Sequence, residues 1–285
     1  MRRQYSLAAA LVSCALVAAC GPAGDATTAG SSDGGVQTPA AAGARPSRVN
    51  GHPNLNGVWQ AMNTAYWNLE GGAAQAVPEF WKLGALFAVP PGQSVVDGGT
   101  IPYLPEALEQ RDKNRAAWPA NDPETKCYRA GIPRSTYMPY PFQIVQGDGD
   151  IMFIYEYATS NRAVRMSNHL NPQEVLVDQW LGWSNGRWDG DTLVIDVFGQ
   201  IRETWLDRAG NHHNGMTVEE RYTPMTENHI WYEATITDPR TFSRPWKIAM
   251  PLYRRMEPNA EIYEYKCVEF AEPLLYGELL KEPIK

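Results

Sequence analysis

Phe142-Gln143-Ile144-Val145-Gln146-Gly147-Asp148-Gly149-Asp150-Ile151-Met152-Phe153-Ile154-Tyr155-Glu156-Tyr157 decides the fold. Two apolar runs flank a Gly-Asp-Gly-Asp turn, the pattern of a β-hairpin rather than of a helix. The arrangement recurs downstream. Asp189-Gly190 separates Trp183–Trp188 from Asp191–Phe198, and Thr223–Asn228 separates Met216–Tyr222 from Ile230–Thr237. Met256-Glu257-Pro258-Asn259 separates Trp246–Arg254 from Glu261–Cys267. Four consecutive hairpins, eight to ten strands with no helical crossover, predict a mainly β protein built on an antiparallel meander. A sheet of that size exposes its edges unless it closes. Residues 142–285 are therefore expected to form a lipocalin-like barrel, with a β-sandwich as the alternative.

Upstream, residues 48–141 are punctuated by Pro78, Pro90, Pro91, Pro102, Pro105, Pro119 and Pro123. They are expected to be an irregular wrap over the sheet, with one helix. That helix should run from Pro105 to Ala117: Pro105 suits the first turn, Glu106 and Glu109 lie early, and Arg111, Lys113 and Arg115 lie late, as the helix dipole favours. The turn Asn54-Leu55-Asn56-Gly57 leads into Val58-Trp59, and residues 48–285 are expected to fold as one unit. Residues 20–47 are rich in Gly, Ala, Ser, Thr and Pro, cannot bury enough surface to offset their ordering entropy, and read as a flexible tether.

Residues 1–19 carry Arg2 and Arg3, then an apolar run from Leu7 to Ala19, too short for a permanent membrane span. Val17-Ala18-Ala19-Cys20 resembles the lipobox of bacterial lipoproteins. The resemblance implies a signal peptide cut before Cys20, acylation of that cysteine and a lipid-anchored place in the cell envelope. Gly21, not aspartate, follows Cys20, which points to the outer membrane if the source has two, facing the periplasm or the surface. Removing Arg2 and Arg3 moves the formal charge from −7 to −9. So acidic a domain, without a basic cluster, is a poor partner for nucleic acid, and the lipid must supply membrane attachment. In an oxidising compartment Cys127 and Cys267 are expected to pair as a disulfide.

Trp180-Leu-Gly182-Trp-Ser184-Asn-Gly186-Arg-Trp188-Asp-Gly190-Asp191-Thr192-Leu193 fits the pattern W-x-G-x-S-x-G-x-W-x-G-D-T-L. So do Gly131-Ile-Pro133-Arg134, Pro141-Phe-Gln-Ile-Val145, Thr204-Trp205-Leu-Asp207-Arg-Ala-Gly210-Asn-His-His213 and Glu220-Arg221-Tyr222 in their surroundings. The chain thus resembles a large group of exported bacterial proteins over roughly residues 54 to 270. The resemblance implies a single domain and carries no catalytic assignment. Read on its own, the motif places glycines at turns and bulges and tryptophans over the core, with Asp191-Thr192 closing a turn.

Alternation along the strand after Gly215 puts Met216, Val218, Glu220 and Tyr222 on one face, which is apolar apart from Glu220 and should point inward. An inward carboxylate is costly unless paired. Glu156, on the face of Met152 and Ile154, is expected to be in the same position. Three readings compete. As an enzyme, Glu220 or Asp207 would be a general base and His213 a proton shuttle, in a hydrolase, lyase or isomerase that needs no cofactor. As a metal site, His212 or His213 would join Asp207 and Glu220, although adjacent strand histidines point to opposite faces. As structure, Glu220 would pair with an inward arginine such as Arg134. No phosphate-cradling loop, dinucleotide fingerprint or Cys/His zinc spacing is present, and no Gly-x-Ser-x-Gly nucleophile elbow is expected. The leading expectation is a non-catalytic envelope protein holding a small apolar or carbohydrate ligand at a barrel mouth, among Trp205, Tyr222, Arg134 and Trp180. A protein-interaction module of the envelope is a further alternative.

Overall fold

The computed structural model describes residues 44–76 and 88–268; the expected signal peptide, Cys20 and most of the expected tether lie outside them. The strands are β1 (Arg48–Val49), β2 (His52–Pro53), β3 (Gly57–Ala61), β4 (Gln75–Ala76), β5 (Ala88–Val89), β6 (Phe142–Val145) and β7 (Ile151–Tyr155). After them come β8 (Ser160–Arg165), β9 (Trp183–Asp189), β10 (Thr192–Phe198), β11 (Thr217–Thr226), β12 (His229–Thr237) and β13 (Trp246–Arg254). Nine of these close a lipocalin-like barrel in the order β10-β11-β12-β13-β3-β6-β7-β8-β9, so no sandwich forms. β1 pairs with β2 and β4 with β5 outside it.

Three expected hairpins form, β6 with β7, β9 with β10, and β11 with β12, the last with a shorter turn than expected because β11 runs on to Thr226. The fourth does not. Residues 261–267 make no strand, and β13 pairs instead with β3, which brings Leu252 opposite Ala61. The supposed wrap therefore supplies a wall of the barrel, since β3 also pairs with β6. β3 was hidden because both partners are remote in sequence. The expected helix forms as α1 (Pro105–Ala116), and a short α2 (Arg134–Tyr137) packs against β3 with all four residues buried. Closure is completed by a parallel pair rather than by a pure meander: β8 meets β9 only through Val164 opposite Ser184 and Arg165 opposite Asn185.

Inward side chains fill the barrel. Phe142, Ile144, Ile151, Phe153, Tyr155, Leu193, Ile195, Tyr222, Tyr232, Ile248 and Leu252 belong to one buried cluster. Nine strands enclose a space that such side chains can fill, so the interior is a packed core. The alternation of β7 runs opposite to expectation for one residue. Ile151, Phe153 and Tyr155 point in, so Glu156 lies on the outer face, where Oε2 accepts from the Tyr263 N–H at 3.2 Å. Outside, Arg187 pairs with Asp196 and, at 3.0 Å, with Glu219, while Arg221 meets Asp189 at 2.7 Å.

Cys127 and Cys267 form the expected disulfide and fasten the strandless tail, whose Tyr265 packs on Tyr140 and Tyr157. The bridge spans 140 residues of chain, which in the chain-entropy picture contributes roughly 4 kcal/mol or somewhat more. Exchange of both cysteines for serine should lower the unfolding free energy measured in urea by about 4 kcal/mol, and an unchanged midpoint would show that the tail needs no fastening.

Candidate functional site

Register places Glu220 of β11 opposite Ile195 on one side and Ala234 on the other, at 0% exposure inside the barrel. Its Oε1 accepts from Tyr222 Oη and Tyr232 Oη, each at 2.9 Å, and its Oε2 lies 2.7 Å from Arg162 Nη2. Arg162 comes from β8 and also donates to Ser184 Oγ at 3.2 Å, with its guanidinium carbon 4.8 Å from the Phe153 ring centroid. Burial works against the Arg162 charge, but Glu220 overcomes it and holds the guanidinium above its ordinary pKa. Burial and the Glu220 charge likewise push both tyrosines up, so they remain donors. The inward carboxylate is thus held at Oε1 by two hydrogen bonds and at Oε2 by the ion pair alone, with Arg162 and not Arg134 as its partner.

Arg134 serves a second buried cluster. It grips Asp122 with Nη1 and Nη2, each at 3.0 Å, and reaches Glu124 Oε2 at 2.7 Å. Asp122 caps the 3-10 turn Pro123–Lys126. Glu124 also accepts from Tyr66 Oη and from Arg208 Nη2 at 3.2 Å. The Arg208 guanidinium lies over Tyr66, Trp67 and Trp118 at 4.6, 4.7 and 5.2 Å. Among the described residues two cations meet two anions here, and the cluster ties the 3-10 turn, α2 and the loop after β10 together.

Asp207 and His213 lie in that loop, and both are consumed by it. Asp207 Oδ1 accepts from the N–H groups of Ala209 (2.9 Å) and Asn211 (3.2 Å). Oδ2 accepts from Leu69 N–H (2.8 Å) and Asn211 Nδ2 (2.6 Å). Burial pushes its carboxyl up to about 6 against those donors. His213 Nδ1 faces the N–H groups of Gly215 at 3.1 Å and Met216 at 3.3 Å, so it must be an unprotonated acceptor; Nε2–H then donates to Thr204 Oγ1 at 2.7 Å. Burial, only partly opposed by Asp238, lowers His213 to about 4. Glu220, Asp207 and His213 share no hydrogen-bond partner and do not form one catalytic group. Among the described residues no three His, Cys, Asp or Glu side chains are placed to hold a metal ion.

The free chemistry lies at the barrel's weak joint. Because β8 and β9 pair only at one end, the wall opens into a groove of about 540 Å³ beside Asn161, Arg162 and Ala163 on one side and Gln179–Ser184 on the other. That volume falls within the range of roughly 300–1,000 Å³ usual for small-ligand sites. Trp180 stacks on Tyr128 at 4.9 Å, and Trp183 Nε1 donates to Val177 O at 3.0 Å, so both indoles are held in place. The tryptophan-glycine motif builds this groove. A Cβ on Gly182, at φ +64°, would sit 2.7 Å from Phe198 O, and one on Gly186 would meet Val164 and Met166 at 2.5 and 2.6 Å. The letters Gly182-Trp183-Ser184-Asn185-Gly186 spell Gly-x-Ser-x-Gly, but Ser184 sits within β9 and accepts from Arg162, so the pattern makes a strand here and not a strand-to-helix elbow. Asp191 does not close its turn but pairs with Arg48 at 2.7 Å, while Thr192 hydrogen-bonds Thr223.

Of the expected ligand residues, only Trp180 lines the groove. Trp205 is buried against Trp118, Tyr222 is in the barrel core and Arg134 is in the second buried cluster. A cleft of about 100 Å³ between Trp67 and Trp118 is smaller than a usual ligand site. Arg129, Arg162, Arg165 and Trp183 are groove residues that sequence reasoning missed; arginines in polar runs give no periodic signal.

Glu220→Gln should destabilise the fold by about 3 kcal/mol or more by leaving Arg162 charged and unpaired, and the further change Arg162→Met should recover part of that loss in urea unfolding. Equal or worse stability in the double variant would contradict the pairing. For His213 the pKa falls from 6.5 to about 4 on folding, so its contribution is present above pH 6.5 and lost as the pH drops toward 4. Asp207, raised from 3.8 to about 6, moves stability the opposite way over that window. His213→Asn removes one of the two opposing effects. The unfolding free-energy gap between wild type and variant should shrink by about 3 kcal/mol between pH 7 and pH 4, and a constant gap would contradict the neutral, buried imidazole.

Comparison of the chain with family models, curated proteins and solved structures gives no match.

Proposed function

We propose that this chain is a lipoprotein of the bacterial cell envelope, anchored through Cys20, that binds a small ligand without turning it over. The observation that carries the reading is a contrast of use. The groups capable of acid-base chemistry, Glu220, Asp207 and His213, each have their polar atoms engaged by the fold. The groove at the β8–β9 joint instead presents two fixed indoles and open polar side chains to a volume of ligand size. Its indoles and Met152 suit an apolar chain or the face of a sugar ring. The lipobox resemblance and the tether-like composition of residues 20–47 support placement on a membrane with the barrel held clear of it. The W-x-G-x-S-x-G-x-W-x-G-D-T-L resemblance fits a group defined by this joint, since its residues shape the groove.

Native mass spectrometry of the protein extracted from membranes tests both halves. The expected mass is that of a chain beginning at Cys20 with acyl groups attached, carrying a non-covalent small molecule that Trp180→Ala loses. An empty protein that also shows no thermal shift across a lipid and glycan panel would remove the binding reading.

A further inference from the structure

Taking the groove as a ligand site, as proposed above, we infer that it selects an anionic amphiphile: a single apolar chain ending in a carboxylate or phosphate. Three features of the groove select that chemistry together.

The first is charge. Arg129 and Arg165 line the groove, and their side chains make no hydrogen bond or ion pair among the described residues. Arg187, Arg221 and Arg255, by contrast, all meet carboxylates on the surface. Asp178 is the acid on the same rim, and Arg162 is already neutralised by Glu220, so the groove keeps one positive charge in excess. That excess stands within a mature chain of formal charge −9. A guanidinium offers a planar fork matched to carboxylate or phosphate oxygens, and two such forks on one rim can clasp one head group.

The second is the apolar half. Met152, Ala163, Trp180 and Leu181 line the same space. Val177, 65% exposed, is held to the groove wall by the Trp183 hydrogen bond to its carbonyl, and the chain continues from it into the lining residue Asp178. An aliphatic side chain left this open beside a ligand-sized groove extends its apolar surface outward.

The third is the floor. Where the β8–β9 ladder stops, Arg162 and Ser184 come to the surface of the groove, and Arg162 Nε, although buried, has no acceptor among the described residues. A polar floor with an unpaired donor disfavours a purely hydrocarbon guest, while the net positive charge of the groove stays with Arg129 and Arg165 on its lining.

The test uses the full chain secreted as its Cys20→Ser form, which needs no detergent. Tryptophan fluorescence is followed while dodecanoate, dodecyl phosphate, dodecyl maltoside or inorganic phosphate is added, all below micelle formation. Dodecanoate and dodecyl phosphate should bind saturably, and at least tenfold more tightly than dodecyl maltoside or inorganic phosphate. Arg129→Gln with Arg165→Gln should erase that tenfold preference and its weakening by salt, while circular dichroism and the urea midpoint stay unchanged. The inference falls if dodecyl maltoside binds as well as the anions, if inorganic phosphate alone binds as tightly, or if the double variant binds like wild type. Binding of dodecyl maltoside that Trp180→Ala abolishes would keep the groove as a site while discarding anion selection. Silence toward every probe would discard both.

Discussion

A carboxylate sealed inside a protein must find a cation and donors for its remaining lone pairs, and in this barrel that requirement organises the wall. Glu220 on β11 and Arg162 on β8 face each other across the interior, with Tyr222 and Tyr232 completing the shell. Separating them would strand a charge in a medium that screens it poorly. The pair therefore holds β8 close to the opposite wall, while Ser184 on β9 receives another hydrogen of the same guanidinium. It joins three strands whose backbone ladders do not fully join them. The β8–β9 joint can remain half unzipped without the barrel losing its shape.

This accounts for the division of labour in the molecule. Buried polar groups form closed accounts of charge: Glu220 with Arg162, and Asp122 and Glu124 with Arg134 and Arg208. His213 is locked as a neutral tautomer by two backbone donors and one threonine. Groups so committed cannot exchange protons with a substrate without loosening the fold. The groove where backbone pairing stops, beside Trp180 and Trp183, is built instead from side chains that this charge pairing leaves out.

Much of the architecture was legible because turn chemistry and alternation agreed. Gly147–Asp150 and Asp189-Gly190 bend the chain between strands whose apolar residues fall on one face, Glu227-Asn228 does so at the end of the stretch read as a turn, and Glu220 could be placed inside by that rule alone. The failures have physical causes. β3 is five residues long and finds both neighbours far along the chain. β8 reads Ser-Asn-Arg-Ala-Val-Arg, so its inward positions, Ser160, Arg162 and Val164, carry no hydrophobic period. Residues 261–267 alternate like a strand, but they are held by a disulfide and by tyrosine contacts instead of a ladder. The partner of Glu220 was unreadable for the same reason as β8. The groove needed the joint to be seen before its residues could be grouped.

The pairing of Leu252 with Ala61 has a consequence for how the molecule comes into being. One of the first strands to leave the ribosome must wait for one of the last, since β3 bonds on one side to β13 and on the other to β6. Contacts this remote in sequence slow folding and keep a growing chain from completing its core early. The nascent polypeptide is consequently an open, unclosed ribbon for nearly the whole of its synthesis, the condition in which a chain can still be threaded through a narrow pore.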